Sequence, residues 1–555
     1  MNSSQDNNPP MEGHAGQHAR AVFANHGIET MWTLSGAHVF PLYDAATQSD
    51  PPMRLVDVRH EQTAVFGAEA TAKLTRTPGL AVVTAGPGVT NAVSGLAQAN
   101  ASGVPLLTIG GRAPAFRWGS GALQELDHPP IVEPITKSAT TAPHAADVAG
   151  VVNDSLHLAT KPHRGPVFVD VPMDELYSRA TVPIPDVTPH PAAEPDPDDL
   201  RAVAELLAAA ERPVLVLGSD VWLDRAERAA RTFAEQVRLP VITNGMGRGI
   251  LPRGHELLAT RARSAAFKAA DLVIVAGTPL DFRLGYGRFG SDEAPAKVVH
   301  LADSPGQLAA HVKPAAGAAG DLSLVFDGIL AELDRVERRA SHADWMGSLQ
   351  DAAAKAIAGD AALLGADSTP IHPARIYGEL LPLLDSDAVV IGDGGDFVSW
   401  AGKFVEPGEP GCWLDPGPFG CLGAGAGAAA AARIARPSSQ VVLLYGDGAA
   451  GMSLMDVDTL VRHKLPVVMI VGNNGTWGLE KHPMQFLYGY DVAADLRIET
   501  GYHDIVRALG GAAEAVSRPD RIGPALRRAF ESDVPYLVNV QCDPAVPYPR
   551  STTGV

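Results

Sequence analysis

The sequence predicts an α/β fold made of three doubly wound parallel-sheet domains. Short runs of β-branched and aliphatic residues alternate with Ala- and Leu-rich helical patterns along nearly the whole chain. Apolar runs this continuous are typical of parallel strands that helices cover on both faces. A chain of 555 residues is too long for one hydrophobic core. At roughly 100–200 residues per domain, we expect about three domains.

The predicted strands are short, and most of them end in glycine or a polar residue, as expected where a parallel strand runs into a loop. They lie at 80–86, 104–111, 166–172, 213–219, 271–277, 388–395, 441–448 and 466–474. The helical patterns between them supply the crossovers that parallel strands need.

Two changes in composition predict the domain boundaries. Residues 182–199 are rich in Pro and Asp and are predicted to be a linker. Residues 340–372 form a helical stretch that ends at "STPIHPARIY", which indicates a second boundary. The three predicted units are 14–181, 200–335 and 370–548.

Composition excludes several classes of partner. A formal net charge of −19 disfavours nucleic acid and anionic membrane surfaces. The three cysteines fit neither a disulfide framework nor a zinc site, which favours the reducing cytoplasm. No run approaches the ~18 apolar residues of a membrane-spanning helix. The N-terminus lacks the apolar core of a signal peptide, and its first dozen residues are predicted to be a disordered leader.

Residues 440–474 read as one strand–helix–strand unit. The first strand is predicted to end at Tyr445 and the chain to turn at Gly446-Asp447-Gly448. Ser453 is the predicted N-cap of a helix that runs to about His463, and the second strand is predicted at 466–471. A right-handed crossover brings both strand ends to one edge of the sheet.

Asp447 and Asn474 should therefore project into the same crevice. Their oxygen atoms, with room for more, suit Mg²⁺, which prefers octahedral oxygen ligands shared with substrate phosphates. Gly448 allows the backbone to approach a phosphate, and the following helix N-terminus favours negative charge. The alternative is that "GDG" is only a turn.

This pair of motifs resembles the cofactor signature of the thiamine diphosphate (ThDP) enzyme family. The resemblance implies that Asp447, Asn474 and the main-chain oxygen of Thr476 hold a Mg²⁺ ion that grips the diphosphate of ThDP. It also implies that Gly446, Gly448 and Ala449 lie against the cofactor.

A second part of the resemblance lies in the N-terminal unit. In the family a glutamate bonds to N1′ of the aminopyrimidine and favours its imino tautomer, which removes the proton from the thiazolium ring. Glu61, which follows the predicted strand "RLVDV", matches this glutamate. The loop "TAGPGVTNAVSGL", with Gly86 and Asn91, resembles the companion glycine loop. The alternative for Glu61 is an acid that serves only the helix dipole.

Two glycine-rich segments complete the resemblance. "GPFGCLGAGAG" resembles the loop that supports the aminopyrimidine, with the Gly420 carbonyl accepting from the 4′-amino group and Leu422 as the apolar wedge. "GDGGDFV" resembles a diphosphate contact and contributes Gly395 and Asp396. A glycine-rich helix entrance is the alternative for the first segment.

The glutamate and the metal motif lie in different predicted domains. In the family such groups meet across a subunit boundary, so the resemblance implies a homodimer, or a homotetramer built from two dimers. The middle unit is then expected to be a scaffold that could hold a nucleotide.

Within the family, the chain is most similar to acetolactate synthase large subunits and to the acetolactate-synthase-like proteins that include 2-hydroxyacyl-CoA lyases. Gln124 and Lys137 match a synthase stretch near the substrate, where a positive charge suits a carboxylate or a CoA phosphate. Arg263 and Arg283 are candidate FAD or CoA contacts. "LDFR" stands where synthases have "FDDR", which puts FAD binding and true synthase activity in doubt.

Three hypotheses follow from this resemblance. The first is an acetolactate synthase-type enzyme that decarboxylates pyruvate and joins the remaining unit to a second 2-keto acid, as in branched-chain amino acid biosynthesis. The second is a lyase that cleaves a 2-hydroxyacyl-CoA into formyl-CoA and an aldehyde or ketone. The third is a degenerate scaffold without activity, which needs none of Glu61, Asp447 or Asn474. The order of the motifs favours the first.

Overall fold

The computed structural model describes residues 9–336 and 341–549. It confirms the predicted fold class, because the chain forms three parallel sheets with helices on their faces. Among the described helices, none has the length and apolarity needed to cross a membrane.

The N-terminal domain is built on a six-stranded parallel sheet of order β3-β2-β4-β5-β7-β6, and β1 pairs with β8 in a separate antiparallel ribbon. Its strands are Met11–His14 (β1), Thr30–Thr33 (β2), Arg54–Asp57 (β3), Gly79–Val83 (β4), Leu106–Arg112 (β5), Ser138–Thr141 (β6), Pro166–Pro172 (β7) and Arg179–Val182 (β8). Its helices are Ala15–Asn25 (α1), Phe40–Gln48 (α2), Glu61–Thr75 (α3), Pro87–Ala101 (α4), Pro129–Val132 (α5), Val148–Thr160 (α6) and Met173–Tyr177 (α7).

Only the end of the predicted disordered leader lies within the described residues. Residues 1–8 lie outside the described part of the chain. Met11 and Glu12 belong to β1 and pair with Val182 and Thr181 of β8, so the prediction of disorder is wrong for these two residues. Backbone hydrogen bonds to β8 therefore hold the end of the predicted leader in a defined position.

The central domain has a five-stranded parallel sheet of order β10-β9-β11-β12-β13. Residues 183–196 form no helix or strand before it. Its strands are Pro213–Leu217 (β9), Val241–Thr243 (β10), Leu272–Ala276 (β11), Lys297–Ala302 (β12) and Ala316–Ala319 (β13). Its helices are Pro197–Ala209 (α8), Ser219–Leu223 (α9), Glu227–Val237 (α10), Arg263–Ala269 (α11) and Leu322–Leu333 (α12).

The C-terminal domain has a six-stranded parallel sheet of order β15-β14-β16-β17-β19-β18. A long helix, Ala343–Leu364 (α13), precedes it. Its strands are Val389–Asp393 (β14), Trp413–Leu414 (β15), Val441–Gly446 (β16), Val468–Asn473 (β17), Ala512–Val516 (β18) and Tyr536–Gln541 (β19). Its helices are Pro373–Leu380 (α14), Asp396–Phe404 (α15), Gly425–Ala435 (α16), Asp447–Ser453 (α17), Val457–Arg462 (α18), Gly478–Tyr488 (α19), Tyr502–Ala508 (α20) and Ile522–Phe530 (α21).

Strand β16 shows why the apolar runs become doubly covered strands. Val441, Leu443 and Tyr445 belong to the core between this sheet and the N-terminal domain. Val442 and Leu444 belong to the core on the opposite face. Because successive side chains of a strand point to opposite faces, an uninterrupted apolar run fills both cores.

Trp222 of α9 links the three domains. Its indole N–H donates to the carbonyl of Lys73 at 2.7 Å, and the Arg76 guanidinium lies 3.9 Å from its ring centre. Gly411, which precedes β15, lies so close to the ring that a Cβ there would be 2.5 Å from it. The central domain is therefore held against both neighbours through one buried aromatic side chain.

The closest helix contact between domains joins α3 to α16. A Cβ on Gly427 of α16 would lie 2.9 Å from the Thr63 carbonyl oxygen and 3.0 Å from the Gly67 nitrogen. The two helix backbones therefore approach each other at a position that only glycine allows.

We expect Gly427→Ala to destabilise the protein by about 1–3 kcal/mol, because the methyl group forces the helices apart. Gly359→Ala is the matched control, since Gly359 also lies inside a helix and nothing is within 4 Å of its Cβ position. This control should stabilise by about 0.4–1 kcal/mol. Calorimetric unfolding measures both effects, and a Gly427→Ala transition at or above that of the unmodified protein would contradict the packing described here.

Candidate active site

A cavity of about 510 Å³ lies at the carboxyl edge of the C-terminal sheet and faces the central domain. Its floor is formed by the backbone that follows β14, β16 and β17. In parallel α/β sheets, ligands bind at this edge. The cavity is also within the size range of small-molecule sites, roughly 300–1,000 Å³.

Asp447 occupies the centre of this floor. It directly follows β16, begins α17 and is only 3% exposed. Its carboxylate accepts the N–H of Gly448 at 2.9 Å and that of Gly475 at 2.7 Å. Burial raises the pKa of Asp447 to about 6, while these N–H groups oppose the shift. The carboxylate is thus locked in place and partly desolvated.

Asn474 follows the neighbouring strand β17 and lines the same cavity. Gly446 and Gly472 are direct partners in the β16–β17 ladder, so Asp447 and Asn474 leave adjacent strands at the same edge. The side-chain oxygen of Asn474 accepts the Thr476 N–H at 3.2 Å. The Thr476 hydroxyl donates to the carbonyl of Ala494 at 2.8 Å.

These residues fit an oxygen-ligated cation. Asp447 offers a carboxylate, Asn474 an amide oxygen and Thr476 a backbone carbonyl, and all three line one cavity. Within residues 9–336 and 341–549, no group of three or more His, Cys, Asp or Glu side chains could hold a metal. A mixed oxygen set of this kind suits Mg²⁺ shared with a diphosphate.

The backbone around Asp447 is open to a phosphate but closed to larger side chains. A Cβ on Gly448 would lie 2.3 Å from the indole of Trp477. Gly446, Gly448 and Ala449 all line the cavity. Helix α17 begins at Asp447 itself, so its first N–H groups face the cavity floor, where an anion is favoured.

The boundaries predicted for this unit are confirmed in part. Ser453 is the last residue of α17 and makes no capping hydrogen bond. Its hydroxyl pairs with that of Tyr445 at 3.0 Å inside the core. Ser453 also directly precedes a 3-10 turn at Leu454–Asp456 and helix α18 at Val457–Arg462, so the predicted helix end near His463 is confirmed, while a separate helix, α17, begins earlier at Asp447. Strand β17 runs over Val468–Asn473 and not over 466–471.

Asp393, which the sequence reasoning missed, holds the segment that contains Gly420 and Leu422. It ends β14, is fully buried, and accepts the N–H groups of Gly423 at 3.0 Å and Gly425 at 2.6 Å. Burial raises its pKa to about 6. The signal was present in "GDGGDFV", where an acid stands between glycines after a strand, as it does at Asp447.

Gly420 and Leu422 both line the cavity, and Gly420 has a φ of +74°. Gly395 and Asp396 line it from the start of α15. The Asp396 carboxylate accepts the N–H of Tyr548 at 3.0 Å. The structure therefore brings these four residues together with the candidate metal ligands.

Glu61 lies at the carboxyl edge of the N-terminal sheet, as the first residue of α3. Its side chain is 8% exposed and accepts a hydrogen bond from the Asn91 amide at 3.0 Å. The neighbouring His60 caps α3 through Nδ1, which accepts the Gln62 N–H at 3.2 Å. Among the described residues that line the large cavity, none belongs to the N-terminal domain.

Gly86 and Gln124 lie next to each other in the N-terminal domain. The Gly86 N–H donates to Nε2 of the buried His128 at 2.9 Å. The Nδ1 atom of that histidine lies 2.9 Å from Asp170. The Gln124 side-chain oxygen accepts a hydrogen bond from Thr84 at 3.3 Å. Gln124 therefore belongs to the same edge of the sheet as Gly86.

Lys137 lies elsewhere. It directly precedes β6, at the amino edge of the sheet, and its ammonium donates to the carbonyls of Lys161 at 2.7 Å and His163 at 2.6 Å. Burial lowers its pKa to about 8. The structure does not bring Lys137 to the edge that carries Glu61 and Gln124, because its charge is used to hold the turn before β7.

The two candidate FAD or CoA contacts, Arg263 and Arg283, occupy different environments. Arg283 lines the large cavity and is paired with Asp281 at 2.6 Å. Arg263 is half-buried and donates to the Arg283 carbonyl at 2.6 Å. Burial lowers the pKa of Arg263 to about 10. Of these two candidates, Arg283 lines the cavity and Arg263 is not among its described lining residues.

The carboxyl edge of the central sheet does not fit a flavin nucleotide. The pocket there, lined by His163, Asp220 and Thr278, has a volume of about 60 Å³. Small-molecule sites are typically several times larger. His163 and Arg164 fill this edge by pairing with Asp303 and Asp224.

Comparison with known proteins agrees with this geometry. Three models of the thiamine pyrophosphate enzyme family match the chain: the N-terminal TPP binding domain at residues 14–131, the central domain at 200–329 and the C-terminal TPP binding domain at 393–540.

Two kinds of relative match nearly the whole chain. The chain is 46% identical over 552 residues to the acetolactate synthase large subunit IlvG of Mycobacterium tuberculosis, covering 99% of each chain. It is 34% identical over 548 residues to 2-hydroxyacyl-CoA lyase 2 of Homo sapiens, covering 91% of this chain and 85% of that one. The resemblance stated from the motifs is confirmed: the chain belongs to the thiamine pyrophosphate enzyme family and is a ThDP-dependent enzyme.

Proposed function

We propose that this protein is an acetolactate synthase-type enzyme, which decarboxylates pyruvate and joins the remaining two-carbon unit to a second 2-keto acid. The observation that carries this proposal is the 46% identity, over essentially the whole of both chains, to an acetolactate synthase large subunit. The cavity supports it because its floor has the ligand set for a Mg²⁺-bound diphosphate.

When bound, ThDP supplies an electron sink for the carbon–carbon bond that breaks. Asp447, Asn474 and the Thr476 carbonyl would hold Mg²⁺ against its diphosphate. The Gly420 carbonyl and the Leu422 side chain would orient its two rings. Glu61 would hold a proton at N1′ of the aminopyrimidine, and the hydrogen bond from Asn91 fixes the carboxyl for that task.

The active site is proposed to form between two copies of the chain. Within the described part of the chain, no residue of the N-terminal domain lines the large cavity, although Glu61 and Gln124 lie at that domain's carboxyl edge. Large apolar side chains are exposed in both domains: Leu123, next to Gln124, is 78% exposed, and Phe486 on α19 is 78% exposed. A second copy that covers these side chains would supply the missing glutamate.

A 2-hydroxyacyl-CoA lyase is the second candidate. The relatives of that name, at 34% identity, are nearly full-length matches. Arg283 at the mouth of the cavity could contact a CoA phosphate. In either case the three free cysteines support a cytoplasmic location. We expect no bound flavin, because His163 and Arg164 fill the carboxyl edge of the central sheet.

The reaction is tested by incubating the purified protein, ThDP and Mg²⁺ with pyruvate or with a 2-hydroxyacyl-CoA. We expect acetolactate from pyruvate and no flavin band in the visible spectrum of the same sample. Aldehyde and formyl-CoA from the thioester, without acetolactate, would replace the first candidate with the second. A tightly bound flavin would contradict the conclusion that paired side chains fill the carboxyl edge of the central sheet.

We expect Glu61→Gln to lower kcat by roughly 10²–10⁴-fold, because the amide cannot hold an acidic proton at N1′. The variant should keep its thermal midpoint, since the amide can still accept from Asn91. Glu29→Gln is the matched control, because Glu29 is an exposed glutamate of the same domain. Full activity of Glu61→Gln would count against both candidate reactions.

Metal dependence is tested at Asp447. Chelation should abolish activity, and added Mg²⁺ should restore it. We expect Asp447→Asn to weaken calorimetric binding of Mg²⁺ with ThDP by at least about tenfold, because one ionic ligand becomes neutral. Asp154→Asn, at an exposed position on α6, should bind as the unmodified protein does. Unchanged affinity in Asp447→Asn would remove it from the ligand set.

A further inference from the structure

The turn that carries Glu61 is held by a residue of another domain. Strand β3 ends at Asp57 and α3 begins at Glu61, so a short connection joins them. The N–H of Arg59 donates to Oδ1 of Asp456 at 2.7 Å, and the Thr63 hydroxyl donates to Oδ2 of the same carboxylate at 2.7 Å. Glu61 lies midway between these two donors in the sequence. One side chain of the C-terminal domain thus holds the chain on both sides of the glutamate.

Asp456 is buried in the contact between the two domains. It is 4% exposed and ends the 3-10 turn Leu454–Asp456, which separates α17 from α18. Burial raises the pKa of the Asp456 carboxyl, and the hydrogen bonds from Thr63 and Arg59 oppose that shift. Because a buried carboxylate and its donors are costly to leave unpaired, these bonds resist displacement of the turn.

The other contacts that the C-terminal domain makes with this turn are more exposed. Asp57 pairs with Arg462 at 2.5 Å and with His463 at 2.9 Å, but the Asp57 side chain is 42% exposed. Ion pairs open to water are weak, because solvent and salt screen them. The Thr459 hydroxyl lies 3.3 Å from the Asp57 carbonyl oxygen and is shared with Asp456. Of these contacts, the buried pair of bonds to Asp456 constrains the turn most.

The N-terminal domain orients the Glu61 carboxyl through a single contact. Within residues 9–336 and 341–549, one hydrogen bond reaches this carboxyl, from the Asn91 amide at 3.0 Å. That bond sets the direction of the carboxyl, whereas the turn sets where the side chain begins. A proton is transferred only over hydrogen-bonding distance, so a shift of about 1 Å in the turn is enough to remove the contact with N1′.

We propose that Asp456 is a positioning residue for Glu61, and that its two hydrogen bonds set the distance between the Glu61 carboxyl and N1′ of the aminopyrimidine. The inference rests on the proposed function, which gives Glu61 the proton at N1′. Asp456 is not among the described residues that line the large cavity. Its effect therefore passes through the turn and not through contact with the cofactor or the substrate.

The test follows the step that depends on Glu61. The holoenzyme with ThDP and Mg²⁺ is transferred to D₂O without substrate, and exchange of the thiazolium C2 hydrogen is measured by rapid quench and NMR. We expect Asp456→Ala to slow this exchange at least about tenfold, because the Glu61 carboxyl no longer meets N1′. With pyruvate, kcat should fall by a similar factor, while KM and the calorimetric affinity for Mg²⁺ with ThDP stay within about threefold.

A second measurement needs no cofactor. The Arg59 N–H is bonded to Asp456, so its exchange with D₂O in the cofactor-free protein reports the turn directly. We expect this amide to exchange at least about tenfold faster in Asp456→Ala. An unchanged exchange rate of the amide overturns the inference.

Two milder variants keep the inference testable if Asp456→Ala does not fold. Thr63→Val removes one of the two bonds to Asp456 and should slow C2 exchange by about threefold. Asp456→Asn should keep C2 exchange within about twofold, because its amide oxygen can accept the Arg59 N–H and its amide N–H can donate to the Thr63 hydroxyl. If Thr63→Val leaves C2 exchange unchanged, the inference fails.

Asp271→Ala is the matched control for general destabilisation. The Asp271 carboxylate also accepts two donors, the N–H groups of Glu211 and Arg212 at 2.9 Å, but at the amino edge of the central sheet. This variant should leave C2 exchange unchanged, whatever its thermal midpoint. Unchanged C2 exchange in Asp456→Ala overturns the inference, and so does an equal slowing in Asp271→Ala. If the unmodified holoenzyme exchanges the C2 hydrogen no faster than free ThDP does, the proposed function itself fails.

Discussion

The site depends on one constraint, the burial of a carboxylate at the end of a central parallel strand. This happens twice in the C-terminal sheet, at Asp393 after β14 and at Asp447 after the adjacent β16. In both cases burial raises the pKa to about 6, and backbone N–H groups compensate the desolvation. Both carboxylate oxygens of Asp393 accept N–H groups of the segment Gly423–Gly425 and so fix its position. Asp447 fixes the turn at Gly475 and keeps a face toward the cavity. A buried carboxylate at a strand end therefore fixes a chain segment at Asp393, and at Asp447 it also offers a candidate metal ligand.

A few close contacts hold the three domains in fixed positions relative to one another. Helices α3 and α16 meet at Gly427, and Trp222 joins the central domain to both neighbours. Arg248 adds a polar link, because it donates to the carbonyl of Val405 at 2.9 Å and lies over the Trp413 ring. Since the large cavity lies between the central and C-terminal domains, its shape depends on these contacts as much as on the residues that face it. The central domain therefore forms one side of the cavity.

Sequence patterns predicted the architecture well because both faces of each sheet are buried, and this requirement produces uninterrupted apolar strands. The strand-end residues Asp447 and Asn474 could be paired from crossover geometry alone. Helix starts were less predictable, since the buried Asp447 begins α17 and the expected cap at Ser453 turns inward to Tyr445. Lys137 could not be placed from sequence, because its partners are backbone carbonyls of a turn that no motif announces. Asp393 was visible in a motif, but its partners lie on a segment far along the chain.

Hydrogen bonds from N–H groups fix two carboxylates of the cavity in place. Asp415 and Asp447 each accept at least two N–H groups, so their orientation is set before any ligand arrives. Such groups provide preorganisation, which lowers the cost of ordering the site during reaction. A floor whose carboxylates are already oriented can receive a diphosphate and its cation without first reordering those side chains.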